Sequence, residues 1–344
     1  MIAASHIHGF RVDGPLTGDR RRVDAARAFQ AYCACDARAG VDRESYLSSF
    51  WYADDFAEHL ARTGSPAGFA GSTWAPFVWL DVDRDEATGG LARALEDTRR
   101  LINVLDERYD IPRSVLLPFA SGNKGFHVGV PTAPWAPSAS ADFHAVARQF
   151  AETIAGEAGV AIDAGVYDRV RAFRAPNSRH PKTGLHKRYI PVEILDNVTV
   201  TGVLGLARTP ESFDVPSVEG VESVDFLVAA WDRAAQAVAA QSAVAEQRRR
   251  EIASGTRAAS LNPATRAFLA GDVEQGDRHR LLYSAARNLA ELGCPLPAVR
   301  ALLIDPALDL GIPPRDVPRG IDCGHAAAFK QTKDTETGVE LGAL

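Results

Sequence analysis

The chain has 344 residues, 46% hydrophobic and 24% charged, with 38 Lys and Arg against 44 Asp and Glu for a net charge of −6. That balance excludes wholesale disorder, and no apolar run reaches the ~18–20 residues of a membrane helix. Four cysteines are too sparse for a disulfide scaffold, so a reducing, cytoplasmic setting is expected for a chain of about two domains. Met1 to His8 show no basic start followed by an apolar core, and no secretory signal is expected. The acidic total argues at first against nucleic acid, although net charge averages over patches that act separately.

In chain order, Asp24 to Gly40 is alanine-rich with Phe29, Tyr32 and Cys33 at helical spacing. Glu44 to Thr63, with Tyr46, Leu47, Phe50, Trp51, Phe56 and Leu60, reads as a second packing helix. Phe77 to Asp83 is a short apolar run with β-branched and aromatic members, hence a strand. Gly89 to Tyr109 reads as a helix. Val115 to Phe119 and Phe126 to Val130 read as strands around a tight polar turn, and Asp142 to Gly156 as a helix. Val166 to Phe173 and Tyr189 to Ile194 read as strands flanking a basic loop. This alternation predicts an α/β or α+β domain with a mixed sheet. Val224 to Ile252 is a helix by composition, ending near Ser254-Gly255, and Asn262 to Ala328 an all-helical unit. That unit holds separate helices at Thr265–Leu269, His279–Leu292 and Leu296–Leu303. Gln331 to Leu344 is polar and expected to be mobile.

Three motifs carry chemistry. In Asp81-Val82-Asp83 the two carboxylates share a strand face, where they repel one another unless a cation intervenes. In Ser121-Gly-Asn-Lys-Gly-Phe-His127 two glycines allow a tight turn, while Ser121, Lys124 and His127 offer groups that suit phosphate oxygens. Asp163 adds a third carboxylate ahead of a basic block. Between Gly165 and Tyr189 lie Arg169, Arg171, Arg174, Arg179, Lys182, Lys187 and Arg188 against Asp168 alone, a local charge of +6 with His180 and His186 besides. One dense basic block in an acidic chain reads as a phosphate-binding footprint. On a continuous strand, Arg169, Arg171 and Phe173 would share a face and Arg174 the other.

Asp-x-Asp on a strand, Ser-Gly-x-x-Gly-x-His on a hairpin, then Asp163-x-x-Val-Tyr-x-Arg-x-Arg-x-Phe-Arg and a Lys-Thr-Gly turn resemble the archaeo-eukaryotic primase superfamily. The similar type is the primase-polymerase of phages, plasmids and other mobile elements. The resemblance spans roughly Phe77 to Ile194. It implies a catalytic part with an RNA-recognition-motif-like mixed sheet and a small N-terminal α/β unit. It implies that Asp81, Asp83 and Asp163 hold two Mg²⁺ or Mn²⁺ ions. Ser121, Lys124, His127, Arg171, Arg174 and Lys182 would bind the nucleotide, with His127 also catalytic. Implied partners are a single-stranded DNA template, dNTPs or rNTPs, and a replicative helicase in the same chain or beside it; no membrane partner is implied. Gly276 to Arg287 with Leu289 to Gly293 resembles the helical module that follows such domains. The resulting division is 1–223 catalytic, 224–260 linker helix, 261–330 helical module and 331–344 tail.

Rival readings are a glycosyltransferase using Asp-x-Asp, a relaxase-like nuclease using His6-x-His8, a primer-extending repair polymerase and a non-catalytic replication adaptor. The first leaves Ser121 to His127 unexplained, and the second needs its histidines in an apolar strand rather than at an unstructured terminus. Zinc is not expected, because Cys33-x-Cys35 and Cys323-Gly-His325 lack a knuckle spacing. Trp51, Trp74 and Trp79 are assigned to the core, and Arg248-Arg-Arg-Glu to a solvated helix face.

Overall fold

The structure is a computed structural model, and it describes residues 7–219, 221, 225–253, 260–274 and 276–329. His6, Ser254-Gly255 and the tail after 330 lie outside the described residues. The chain divides into two units, Met1–Ala243 and Val244–Leu344.

The first unit opens with β1 (His8–Asp13), β2 (Arg21–Asp24), α1 (Ala25–Cys33), β3 (Ser45–Ser48), β4 (Trp51–Tyr52), α2 (Asp54–Thr63) and β5 (Thr73–Trp74). It continues through β6 (Phe77–Asp83), α3 (Gly90–Tyr109), β7 (Leu117–Ala120), β8 (Gly125–Pro131), α4 (Phe143–Glu157) and β9 (Ala172–Arg174). β10 (Arg188–Tyr189), α5 (Val192–Leu195), α6 (Val200–Leu206) and the long α7 (Asp225–Ala253), as far as Ala243, complete it. α7 begins inside this unit's core, where Leu227, Ala230, Ala234 and Val238 are buried.

The fold class is α+β, as expected, but the sheet is not mixed. Two sheets form, and every pairing among the described strands is antiparallel. One runs β5-β4-β1-β3-β9 with β2 on β1; the other runs β10-β7-β8-β6. The second follows a β-α-β-β-α-β order through β6, α3, β7, β8, α4 and β10, interrupted by β9, which leaves to pair with β3. α3 and α4 pack on β6. Alternation along β6 puts Trp79, Asp81 and Asp83 on one face, where the Trp79 ring meets Phe173 of β9 at 5.5 Å.

Four local expectations fail. Residues 45–52 are strands rather than helix. Ser45–Ser48 is buried on both faces, so its apolar residues lose the strand alternation and fall at helix-like spacings by coincidence. Val166–Phe173 is not a continuous strand. The Asp163 side chain accepts the Gly165 N–H and starts a 3₁₀ turn, so only Ala172–Arg174 extends, and the face-sharing of Arg169 with Arg171 does not arise. After β10, Pro191 starts α5 where a longer strand was expected. His8 opens β1, with Nε2 3.0 Å from Asp54 Oδ1, rather than lying in a loose terminus.

The second unit packs α8 (Pro263–Leu269), α9 (Arg278–Glu291), α10 (Leu296–Asp309) and α11 (Val317–Phe329) around Phe268, Leu282, Leu289, Val299, Leu303 and Ile321. Asn262 caps α8 by accepting the Thr265 N–H at 2.7 Å. Buried Asn288 accepts the Asn262 N–H at 2.8 Å and the Thr265 hydroxyl at 3.0 Å, which pins α8 to α9.

The most buried ion pair of the first unit anchors α3. Asp97 carries three arginines: Arg84 at 2.6 Å, Arg93 at 2.8 Å, and Arg100. Burial raises its carboxyl, but hydrogen bonds from Arg100 and Arg84 outweigh that and hold it below the usual range. Asp97→Asn should cost about 3 kcal/mol, chiefly by leaving the buried Arg84 guanidinium without its counter-charge, since the other two arginines are half exposed. A urea titration reads this as a lowered midpoint; an unchanged midpoint contradicts it.

Candidate active site

The site grows from the pairing of β6 with β8. Asp81 stands opposite His127, and Asp83 opposite Gly125. On the far side of β8, His127 stands opposite Phe119 of β7. The glycine-containing turn that joins β7 to β8 closes on itself. Ser121 N–H donates to the Gly125 carbonyl at 2.9 Å, and Gly125 N–H donates to Ser121 Oγ at 3.3 Å. Gly125 has no room for a side chain, because a Cβ would overlap the Val82 carbonyl and the Asp83 carboxylate. From this turn the exposed Lys124 reaches Asp83 Oδ2 at 3.3 Å.

The third motif arrives at the free edge of β6. Asp163 N–H donates to the Asp81 carbonyl at 2.9 Å, and the buried Tyr167 hydroxyl donates to the Trp79 carbonyl. The Asp163 carboxylate itself is exposed and accepts Gly165 N–H at 2.7 Å. On the opposite side, Thr183 Oγ1 of the Lys-Thr-Gly turn donates to the Gly122 carbonyl at 2.5 Å, joining that turn to the Ser121–Gly125 loop. Gly122 sits at φ +80°, and a Cβ there would press on the Leu185 and His186 carbonyls.

Asp81 is buried, its Oδ1 accepts no hydrogen bond, and His127 Nε2 lies 3.5 Å away. Burial, then Asp83 and Asp163, push its carboxyl well above the usual range, while Lys187 and Arg171 pull it back. Burial, with Lys187 and Arg174 adding repulsion, pushes His127 well below the usual imidazole range, so its ring is neutral near pH 7. The His127 ring packs 4.4 Å from Phe173, and Nδ1 has no hydrogen-bond partner. Lys187, which was only counted in the basic block, is fully buried beside them. Its Nζ donates to the Arg174 carbonyl at 2.9 Å and lies 4.2–4.8 Å from the Phe173, Trp79 and Phe119 rings.

The donor set fits a hard divalent cation: three carboxylates, one with a buried, unsatisfied oxygen. In this conformation, however, no three His, Cys, Asp or Glu side chains among the described residues are grouped closely enough to hold a metal ion. Lys124 engages Asp83, and Gly165 N–H engages Asp163.

The basic block splits by structure. Arg169 donates to the Phe69 and Ala141 carbonyls, Arg179 to the Gly184 carbonyl, and Arg188 pairs with Glu211. His180 accepts the Lys182 N–H, and burial pulls it down to about 4, so it carries no charge near neutrality. Arg171 and Arg174 border the Asp81–His127 pair, and Lys182 is exposed on the turn joined to the Ser121 loop. Ser121 is buried, with its hydroxyl committed to the loop. Sequence reading misses Arg84 with Asp97: an arginine directly after Asp-x-Asp is the one signal, and no local spacing links it to Asp97 in α3.

No family model matches the chain, and no curated protein does. Among solved structures, a crystal structure of primase RepB′ aligns with 97% of this chain and 94% of that one, at 16% identity and a TM-score of 0.34. That likeness is too loose to establish a shared fold.

Gly125→Ala should displace Asp83 and cost about 1–3 kcal/mol, since the added methyl meets backbone rather than a movable side-chain end. A thermal melt at wild-type temperature would contradict this.

Proposed function

We propose that the chain is a DNA primase-polymerase, a template-dependent, divalent-metal-dependent nucleotidyltransferase that makes or extends primers on single-stranded DNA. The supporting observation is that three segments distant in sequence meet at the end of β6: Asp81 opposite His127, Lys124 on Asp83, and Asp163 N–H on the Asp81 carbonyl. Nucleotidyl transfer needs developing negative charge on a triphosphate to be offset beside an attacking 3′-hydroxyl, and these side chains suit that task.

In this reading Asp81, Asp83 and Asp163 hold Mg²⁺ or Mn²⁺, which supplies acidification of the hydroxyl and neutralisation of the leaving pyrophosphate. His127, neutral through burial, donates a ring N–H to a phosphate oxygen. Lys124 leaves Asp83 for the triphosphate, and Arg171, Arg174 and Lys182 add charge-assisted contacts. The Ser121 hydroxyl shapes the loop that carries Lys124 toward the phosphates. Basic and aromatic residues contact the template without reading its sequence, and a helicase acts with the chain during replication.

The engaged state of Asp83 and Asp163 favours one second reading, a primase-like adaptor that binds single strands without catalysis. Labelled dNTPs or rNTPs on single-stranded templates, with and without a primer, separate the two. Asp81→Asn and Asp83→Asn should each lower Mn²⁺-supported incorporation by at least about a hundredfold. His127→Ala should raise the nucleotide KM about tenfold. Near-wild-type extension by either Asp variant would overturn the assignment, and a wild type that binds DNA but incorporates nothing supports the adaptor.

A further inference from the structure

Arg84, the residue just after β6, touches all three segments of the proposed site. Its backbone N–H donates to the Lys124 carbonyl at 3.1 Å, which ties down the Ser121–Gly125 loop. Its Nη1 donates to the Asp83 carbonyl at 2.6 Å and to the Ala161 carbonyl, two residues before Asp163, at 3.0 Å. Its Nε and Nη2 grip Asp97 Oδ2 on α3 at 2.8 and 2.6 Å. The Arg84 side chain is 11% exposed and Asp97 2%, so neither is a solvated surface group.

We infer that Arg84 is a positioning residue for the proposed nucleotidyl transfer: its guanidinium, aimed by Asp97, holds the Asp81–Asp83 strand end and the Asp163 segment at a fixed separation. The inference rests on the nucleotidyltransferase reading. Geometry requires arginine here. One edge of the planar fork grips a carboxylate while the far nitrogen spans two carbonyls, whereas a lysine ammonium is a single point of donation. The two acid-bearing segments are otherwise joined by isolated bonds rather than a strand ladder: Asp163 N–H on the Asp81 carbonyl and the Tyr167 hydroxyl on the Trp79 carbonyl. Asp97 is in turn braced by Arg93 and Arg100, so the fork is oriented by a charge that is itself fixed. Through one residue the rigid helix α3 therefore sets the relative placement of all three motifs. Small displacements of catalytic groups have large kinetic consequences, which gives such a clamp a role beyond stability.

The test uses the full chain with Arg84→Met and Arg84→Lys. Three readouts apply: amide exchange at Asp163, the Mn²⁺ dissociation constant by electron paramagnetic resonance, and kcat and KM for dNTP addition to a primed single strand. Both variants should exchange the Asp163 amide about tenfold faster, bind Mn²⁺ about tenfold more weakly, and lose about a hundredfold in kcat with KM within about threefold. Arg84→Lys keeps the charge and is the variant to read if Arg84→Met does not fold. Wild-type values in Arg84→Lys would overturn the requirement for the fork. Variants that lower only the denaturation midpoint, leaving exchange, Mn²⁺ affinity and kcat unchanged, would overturn the positioning role. A wild type that neither binds Mn²⁺ nor incorporates nucleotide sinks the nucleotidyltransferase reading and this proposal together. Asp163 amide exchange distinguishes that failure from absence of the clamp.

Discussion

β6 and β8 pair along their whole length, from Phe77 opposite Pro131 to Asp83 opposite Gly125, and nearly everything at the candidate site depends on that register. Because strand side chains alternate, a slip by one residue would send Asp81 and Asp83 to the face where α3 and α4 pack and bring Leu80 and Val82 out. The register is held at one end and along the strand. At one end Gly125 leaves no space between the β8 backbone and Asp83. Along the strand, the wholly buried Leu80, Val82, Phe126 and Val128 make any slip expose apolar surface. An apolar core thereby places a polar pair, Asp81 and His127, where little surface is left for water to relieve them.

That depth sets the electrostatics. A buried carboxylate and a buried imidazole each favour the neutral state, and neighbouring charges then decide the balance. Lys187 is the internal counterweight. In its charged form it attracts Asp81 and repels a proton on His127, while its own burial pushes the ammonium well below the usual lysine range; it is held among three aromatic rings and the Arg174 carbonyl. The chain's net charge of −6 and its local basic excess are both accurate sums and both misleading as maps. Of the seven basic side chains between Gly165 and Tyr189, four are committed to carbonyls, an ion pair or the interior. In the proposed reading the cations offered to an anionic ligand are Arg171, Lys182, Arg174, whose guanidinium lies over the Tyr46 ring, and Lys124, once it leaves Asp83.

The antiparallel hairpin around Gly122 and Gly125 was legible because glycines at that spacing between apolar runs permit few other structures. α3 and α4 were legible because their apolar periodicity is long, α7 by its composition, and the helical unit by the Gly and Pro breaks between its helices. The strands β3 and β4 were not: burial on both faces erases the alternation of β3, and β4, two residues long, is too short to show any. The turn after Asp163 was hidden for another reason: a side chain capping its own backbone two residues on overrides the extended preference of Val166 and Tyr167.

By itself the sequence determined the types of chemistry available and their order: paired acids on a strand, a glycine turn with lysine and histidine, then an acid leading into arginines. Those follow from covalent spacing and local conformational preference, which operate over a few residues. Only the tertiary structure decided which charges are spent and which remain free, because their partners lie far along the chain. Asp97 and Ala161 converge on Arg84, Glu211 on Arg188, and the rings of Trp79, Phe119 and Phe173 on Lys187. Electrostatic and packing energies depend on distance in space and on exclusion of water, and neither is written in the spacing of residues.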